Sequence, residues 1–209
     1  LAVARSMGFD HIKVLFTADA YISGSGLLMA NMGYVDEVVN MVVASGVKCL
    51  VCIHPESKFK FDGLGSQSGF TQMLGFYEAF AAYLAARWKP DQIALHLMTE
   101  PFSNGAGGAE FEDWNMIYPQ MVAAVRKHMP YYTLSTSGDK TGNIYGMTRM
   151  IPLRDDRLYY SFTTYEPYQF GFNAMFGGGG KFWKDISYVP WPVTPESIRA
   201  RMPEMRSTV

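Results

Sequence analysis

Residues 92–101 read QIALHLMTEP, a short apolar run followed at once by Thr99, Glu100 and Pro101. The run is too short for a free-standing helix and suits a buried strand. Helical patterns flank it on both sides. Upstream, residues 71–88 run through FYEAFAAYLAARW, with Thr71 as the candidate cap and Pro90 as the stop. Downstream, residues 112–129, EDWNMIYPQMVAAVRKHM, carry acids in the first turn and Arg126, Lys127 and His128 in the last, the arrangement a helix dipole favours. Pro119 is expected to bend the early part of that helix or to reset its start.

Four further runs share the character of 92–98: HIKVLF at 11–16, VKCLVCI at 47–53, YYTLSTS at 131–137 and RLYYSFT at 157–163. A helix at 34–45, YVDEVVNMVVAS, lies between the first two, and Gly46 is its natural stop. Strand and helix by turns predict parallel strands joined by crossovers, with helices covering the sheet. A doubly wound nucleotide-binding sheet fits less well, because the turn after residue 16 reads TADAYISGSG and holds no phosphate-binding glycine motif. The glycine run 177–180 has no strand leading into it and reads as a loop. The expected fold is an incomplete (β/α)8 barrel, one domain over 1–209, with five strands of the eight a closed barrel needs. The proline-bearing tail, with prolines at 190, 192, 195 and 203, adds at most one short helix.

Composition narrows the partners. With 48% apolar residues, a chain of this length buries roughly 70% of its unfolded surface, so a cooperative fold is expected. The net charge is -1, and the basic residues are scattered rather than striped, which disfavours nucleic acid. No run is long and apolar enough to span a membrane. The first residues, LAVARSMGFD, have neither the length nor the order of a secretory signal, and the compartment stays open. Cys49 and Cys52, the only cysteines, fall on opposite faces of a strand. That excludes a redox pair and predicts buried free thiols.

In a barrel, chemistry gathers beyond the carboxyl ends of the strands. That rule selects Thr17 and Asp19, His54 and Glu56, Thr99 and Glu100, Asp139, and Tyr165 and Glu166. Glu100 is the sharpest of them, because Pro101 biases it toward an extended backbone and shielding would raise its pKa toward that of a general acid. His54, ahead of Pro55, can donate to a sugar hydroxyl or to a carboxylate. His96 shares a strand face with Glu100 and either supports it from below or fills a barrel layer; filling is preferred. The spacing of His54, Glu56, His96 and Glu100 matches no compact zinc pattern, so no metal is expected. No G-x-S-x-G elbow appears, the nearest serines being in GLGSQSG at 63–69. Glycoside hydrolysis needs a second carboxyl group, and Glu166, Asp139, Asp19 and Glu56 are the internal candidates. Tyr21, Tyr165, Tyr168, Phe170, Trp183 and Trp191 offer ring faces on which sugars stack, which suits a groove for an uncharged polymer.

The segments, in order, resemble glycoside hydrolase family 5, the cellulase-like retaining enzymes. GFDHIKVLF resembles that family's second strand, VKCLVCIHPE its third, IALHLMTEP its fourth, normally closing in Asn-Glu-Pro, and LYYSFTTYEPYQF its sixth. The resemblance runs from about residue 5 to Trp191 and implies a barrel excerpt covering strands two to six. It also implies a retaining hydrolase of β-linked polysaccharide that uses no cofactor, with polysaccharide or oligosaccharide as the substrate. By position it gives Glu100 the acid/base role and His54 the family histidine's. Lys13 stands in place of an arginine, Thr99 of an asparagine, Thr163 of a histidine and Tyr165 of the family tyrosine, while Trp191 is expected to contact sugar. Three of these positions depart in type: Lys13 lacks the guanidinium fork, Thr99 lacks the amide that contacts the 2-hydroxyl, and Thr163 lacks an imidazole. The family's nucleophile follows strand seven. Two expectations therefore stand side by side: an excerpt of an active barrel, or a diverged carbohydrate-binding relative that does not cleave.

Overall fold

The computed structural model describes residues 1–54, 67–101 and 110–164. The chain divides into one unit, Leu1–Phe162, and a second, Thr163–Val209, of which only Thr163 and Thr164 are described.

The β-branched and aromatic runs form strands where the sequence predicts them. They are β1 (His11–Thr17), β4 (Lys48–His54), β5 (Ile93–His96), β6 (Leu134–Ser137) and β7 (Leu158–Ser161). These make one parallel sheet in the order β1-β4-β5-β6-β7, each barrel strand beside the one before it. A small hairpin, β2 (Ile22–Ser23) with β3 (Gly26–Leu27), sits in the connection after β1. Helices α1 (Ala2–Ser6), α2 (Met32–Ala44), α3 (Gln67–Ala85), α4 (Glu110–Arg126) and α5 (Ile144–Thr148) complete the described elements, with a single turn at Asp139–Gly142 and short 3-10 turns at Ala18–Ala20 and Met29–Asn31. A parallel sheet flanked by crossover helices is the layout of part of a (β/α)8 barrel.

Amphipathic spacing sets the helical face of the sheet. On α2, Met32, Val35, Val39 and Val42 are buried at intervals of three and four. Gly46, at φ +81, closes this helix through its N–H to Val43 O at 3.0 Å, so the glycine stop is realised in a left-handed cap. On α3, Phe76 and Phe80 stack at 5.5 Å in the same core. Each such side chain contributes on the order of 2 kcal/mol through removal of apolar surface from water. Strand α/β register carries the rest: Cys49, Val51 and Ile53 of β4 face the helices and are fully buried.

Two expectations for the helix starts do not hold. Helix α3 begins at Gln67, so Thr71 lies inside it and is not its cap. Helix α4 runs through Pro119 from Glu110, so the proline does not reset the start. Burial of Trp114, Tyr118, Met121, Val122 and Val125 along one stripe outweighs the lost backbone bond. The helix ends at Arg126, so Lys127 and His128 lie just beyond its last turn, and the basic side chains bind groups outside the helix. Arg126 donates to Met129 O and Tyr132 O and makes a paired contact with Asp155, at 2.8 and 3.0 Å, while Lys127 pairs with Glu78 at 2.6 Å. The Arg126 contact holds the Asp155 carboxyl below its usual pKa.

Candidate active site

The site is built on the sheet face turned away from the helices. Period-two alternation and register bring together Lys13, Leu15 and Thr17 of β1, Leu50, Cys52 and His54 of β4, and His96 of β5. Ser135 and Ser137 of β6 and Ser161 of β7 follow. The two cysteines do point to opposite faces, and both are free and buried. Burial pushes the Cys52 thiol up to about 12, with Lys13 opposing the shift, and pushes Cys49 up to about 11. Neither is a ready nucleophile.

His96 forms the floor. It is 2% exposed, and its Nδ1 lies 3.0 Å from Ser135 Oγ. Its Nε2 lies 3.1 Å from Met98 O and 3.2 Å from Ser137 Oγ. A carbonyl can only accept, so Nε2 carries the proton and Nδ1 accepts from Ser135. Burial first, and the Lys13 charge second, lower the ring's pKa to about 3, which keeps it neutral. Ser137 Oγ continues the network to Ser161 Oγ at 3.1 Å. His96 therefore fills a barrel layer, the preferred of its two readings.

Above this floor, residues on either side of Glu100 are tied down in turn. Leu97 N–H donates to Ser135 O at 2.9 Å, and its own carbonyl accepts from the buried Tyr77 hydroxyl. Thr99 N–H donates to Ile53 O at 2.9 Å, and Thr99 Oγ1 lies 2.7 Å from His54 Nδ1. Pro101 O accepts from Thr141 N–H at 2.9 Å. Glu100, half-buried between these anchors, has φ +49. This overturns the extended backbone expected ahead of a proline: the anchors on both sides impose a left-handed bend against the local preference. It also ends the strand periodicity from which Glu100 was placed on the His96 face, since β5 stops at His96. Positive φ at a residue other than glycine is a form of strain that gathers at functional sites.

Three of the sequence-selected residues thus meet: His54, Thr99 and Glu100, at the carboxyl ends of β4 and β5. Lys13 starts four positions before Thr17, the register partner of His54, and acts from below on Cys52 and His96. Asp139, directly after β6, is 1% exposed. Asp19 sits half-buried in the turn after β1. Tyr21 packs edge-on against Phe16 at 5.8 Å. Thr163 is half-buried and opens the second unit. Tyr165, Trp191, Glu56, Glu166, Tyr168, Phe170 and Trp183 lie outside the described residues. Sequence reasoning missed the hydroxyl floor of Ser135, Ser137 and Ser161, and it missed Thr141 and Gly142. The even spacing of Gly138, Gly142 and Gly146 was the available signal. Among the described residues, no cluster of three His, Cys, Asp or Glu side chains is arranged to hold a metal, and no helix is long and apolar enough to cross a membrane.

A family model described as cellulase, glycosyl hydrolase family 5, matches residues 1–196. Cellodextrinase A of Ruminococcus flavefaciens is 25% identical over 170 residues, which cover 78% of this chain and 49% of that protein. The chain thus spans about half the length of the curated relative it matches. Among solved structures, Thermotoga maritima Cel5A in complex with cellobiose aligns with a TM-score of 0.80 at 16% identity, over 99% of this chain and 64% of that one. The cellulose synthase subunit Z of Clostridioides difficile aligns at 0.77 and 17% identity, over 98% and 65%. At such identities the structures speak for the fold, and the family model speaks for descent. The chain belongs to the cellulase family, glycosyl hydrolase family 5.

Proposed function

We propose that this chain carries the proton donor of a retaining β-glycosidase acting on a β-linked glucan or a related polysaccharide, with Glu100 in that role. The observation that carries the reading is the meeting of His54, Thr99 and a backbone-strained Glu100 where β4 and β5 end. Family membership, and relatives named for cellodextrin and cellobiose, support the substrate class. In the first step Glu100, protonated, gives its proton to the departing glycosidic oxygen while a partner carboxylate attacks the anomeric carbon. In the second, the Glu100 carboxylate takes a proton from the water that releases the sugar. Thr99 and His54 hold one another beside it, and the Thr99 hydroxyl takes the place of the amide contact to the 2-hydroxyl. Lys13 supports the floor from below; Thr163, Tyr165 and Trp191 are carried as sugar contacts from the sequence resemblance. The barrel segment is read as strands two to six.

The test is reducing-sugar release from β-glucans, xylan and mannan by the native protein and by Glu100→Gln. Cleavage of one polymer, with a loss of at least about 100-fold in the variant, is expected from removal of general acid catalysis. Equal rates for the two proteins would overturn the assignment of Glu100. A second reading, binding without cleavage, is favoured by one observation: the Thr99 hydroxyl, which stands in for an amide donor, is already engaged with His54. Retardation of the native protein on polysaccharide gels with no sugar released would select it.

A further inference from the structure

We propose that the left-handed turn at residues 140–142 is the device that aims the Glu100 carboxyl, with Thr141 and Gly142 as positioning residues; the proposal rests on the acid/base reading of Glu100. Residues 140–142 wind against the hand of ordinary helices. Lys140 has φ 57 and ψ 52, Thr141 has φ 63 and ψ 25, and Gly142 has φ 71. Successive left-handed residues are costly for side chains such as Lys and Thr, so surrounding structure must impose them.

The imposing contacts lie on two sides. Behind the turn, a methyl group built on Gly146 would stand 1.8 Å from Asp139 O, and one on Gly138 would stand 2.3 Å from the Gly146 carbonyl carbon. The backbone at 138–139 therefore rests directly on the backbone of α5, whose first turn is capped by Asn143 Oδ1 accepting Gly146 N–H at 2.8 Å. In front, Thr141 N–H donates to Pro101 O at 2.9 Å. A methyl group on Gly142 would stand 3.5 Å from Glu100 N and 3.3 Å from Ser137 Cβ. Ser137 in turn meets His96 Nε2 at 3.2 Å. A glycine-to-glycine seat, the left-handed turn and the strained Glu100 peptide thus form one stack of backbone on backbone. Side-chain rotation cannot absorb a displacement in such a stack. Adding a methyl group at Gly142 strains the turn at φ +71 and crowds Ser137 Cβ at 3.3 Å, while reaching only ordinary contact with Glu100 N, so the displacement passes to Glu100 through the turn and the Thr141–Pro101 hydrogen bond.

A positioning role for a proton donor has a signature that general damage lacks. A dinitrophenolate leaves without a proton, whereas a phenolate or a sugar alkoxide needs one. In the full chain, kcat/KM is measured for phenyl β-cellobioside and for 2,4-dinitrophenyl β-cellobioside with the native protein, Glu100→Gln and Gly142→Ala. Gly142→Ala is expected to lose about 10- to 100-fold on the phenyl substrate, as small misplacements of a catalytic group do, and less than about threefold on the dinitrophenyl one. Equal losses on both substrates, or no loss on either, would overturn the proposal. Failure of Glu100→Gln to show the same selectivity would instead sink the acid/base reading beneath it. If Gly142→Ala does not fold, Asn143→Ala serves: it adds no atom and removes the cap that holds the first turn of α5 under residues 138–139. Asn143→Ala is then expected to lose severalfold on the phenyl substrate alone, and native rates on both would overturn the proposal.

Discussion

His96 ties the chemistry of one side chain to the stability of the fold. Both ring nitrogens are engaged inside the sheet face, and only the neutral ring can accept from Ser135 while donating to Met98 O. Its folded pKa of about 3 lies below the value of about 6.5 it regains on unfolding. The unfolded chain therefore binds the extra proton first. The contribution is complete above about pH 6.5 and declines as pH falls toward 3, by roughly 1.4 kcal/mol for each pH unit. Urea unfolding of the native protein between pH 7.5 and 5 is expected to show that decline, and His96→Gln is expected to flatten it. Parallel curves for the two proteins would mean that the ring takes up a proton as readily in the folded chain as in the unfolded one. From sequence, His96 could be placed on a strand near Glu100, but its partners could not be named, because Ser135, Ser137 and Ser161 reach it only through the pairing of β5, β6 and β7. Glu100 shows the same division: its position after a buried strand is legible from IALHLMTEP, whereas its left-handed φ arises from anchors at Ile53, His54 and Thr141 that are distant in sequence.

Helix and strand positions were legible because burial acts on periodicity. The stripe from Trp114 to Val125 and the β-branched runs each have one arrangement that hides them. Turns were not legible where tertiary contacts override preference: nothing in the residues Lys140 and Thr141 favours a left-handed turn, and only the glycines at 138, 142 and 146 hint at close backbone approach. Pro119 is the converse case, a local signal overruled by packing. Half-buried on α4, it interrupts the backbone ladder of a helix held by its buried face and by Arg126 at its end. Pro119→Ala restores an N–H donor, while the unfolded chain regains some freedom. A net gain of about 1–2 kcal/mol is expected, read as a higher urea midpoint at unchanged slope. A lower midpoint would show that the pyrrolidine ring packs well enough to outweigh the missing bond.

Over the whole molecule, the order β1-β4-β5-β6-β7 makes cohesion uneven. Strands β4, β5 and β6 each pair on both sides. In β5 and β6 burial reaches both faces, with Leu95 and His96 adjacent and residues 134–137 all buried. Among the described residues, β1 and β7 pair on one side only, and their face turned from the helices is open: Leu15 is 54% exposed and Tyr159 is 61%. Backbone hydrogen bonds that open to water without breaking the core exchange their protons first. Amide exchange is therefore expected to be slowest at Val51, Leu95 and Leu134 and faster along β1 and β7, with Thr99 close to the slow group because its N–H is locked to Ile53 O. The candidate acid would then sit on the most rigid part of the sheet, where fixed geometry rather than loop motion sets the aim of its carboxyl. Exchange at Thr99 as fast as along β1 would place Glu100 on a mobile segment, and the strain at its φ would have nothing rigid to sustain it.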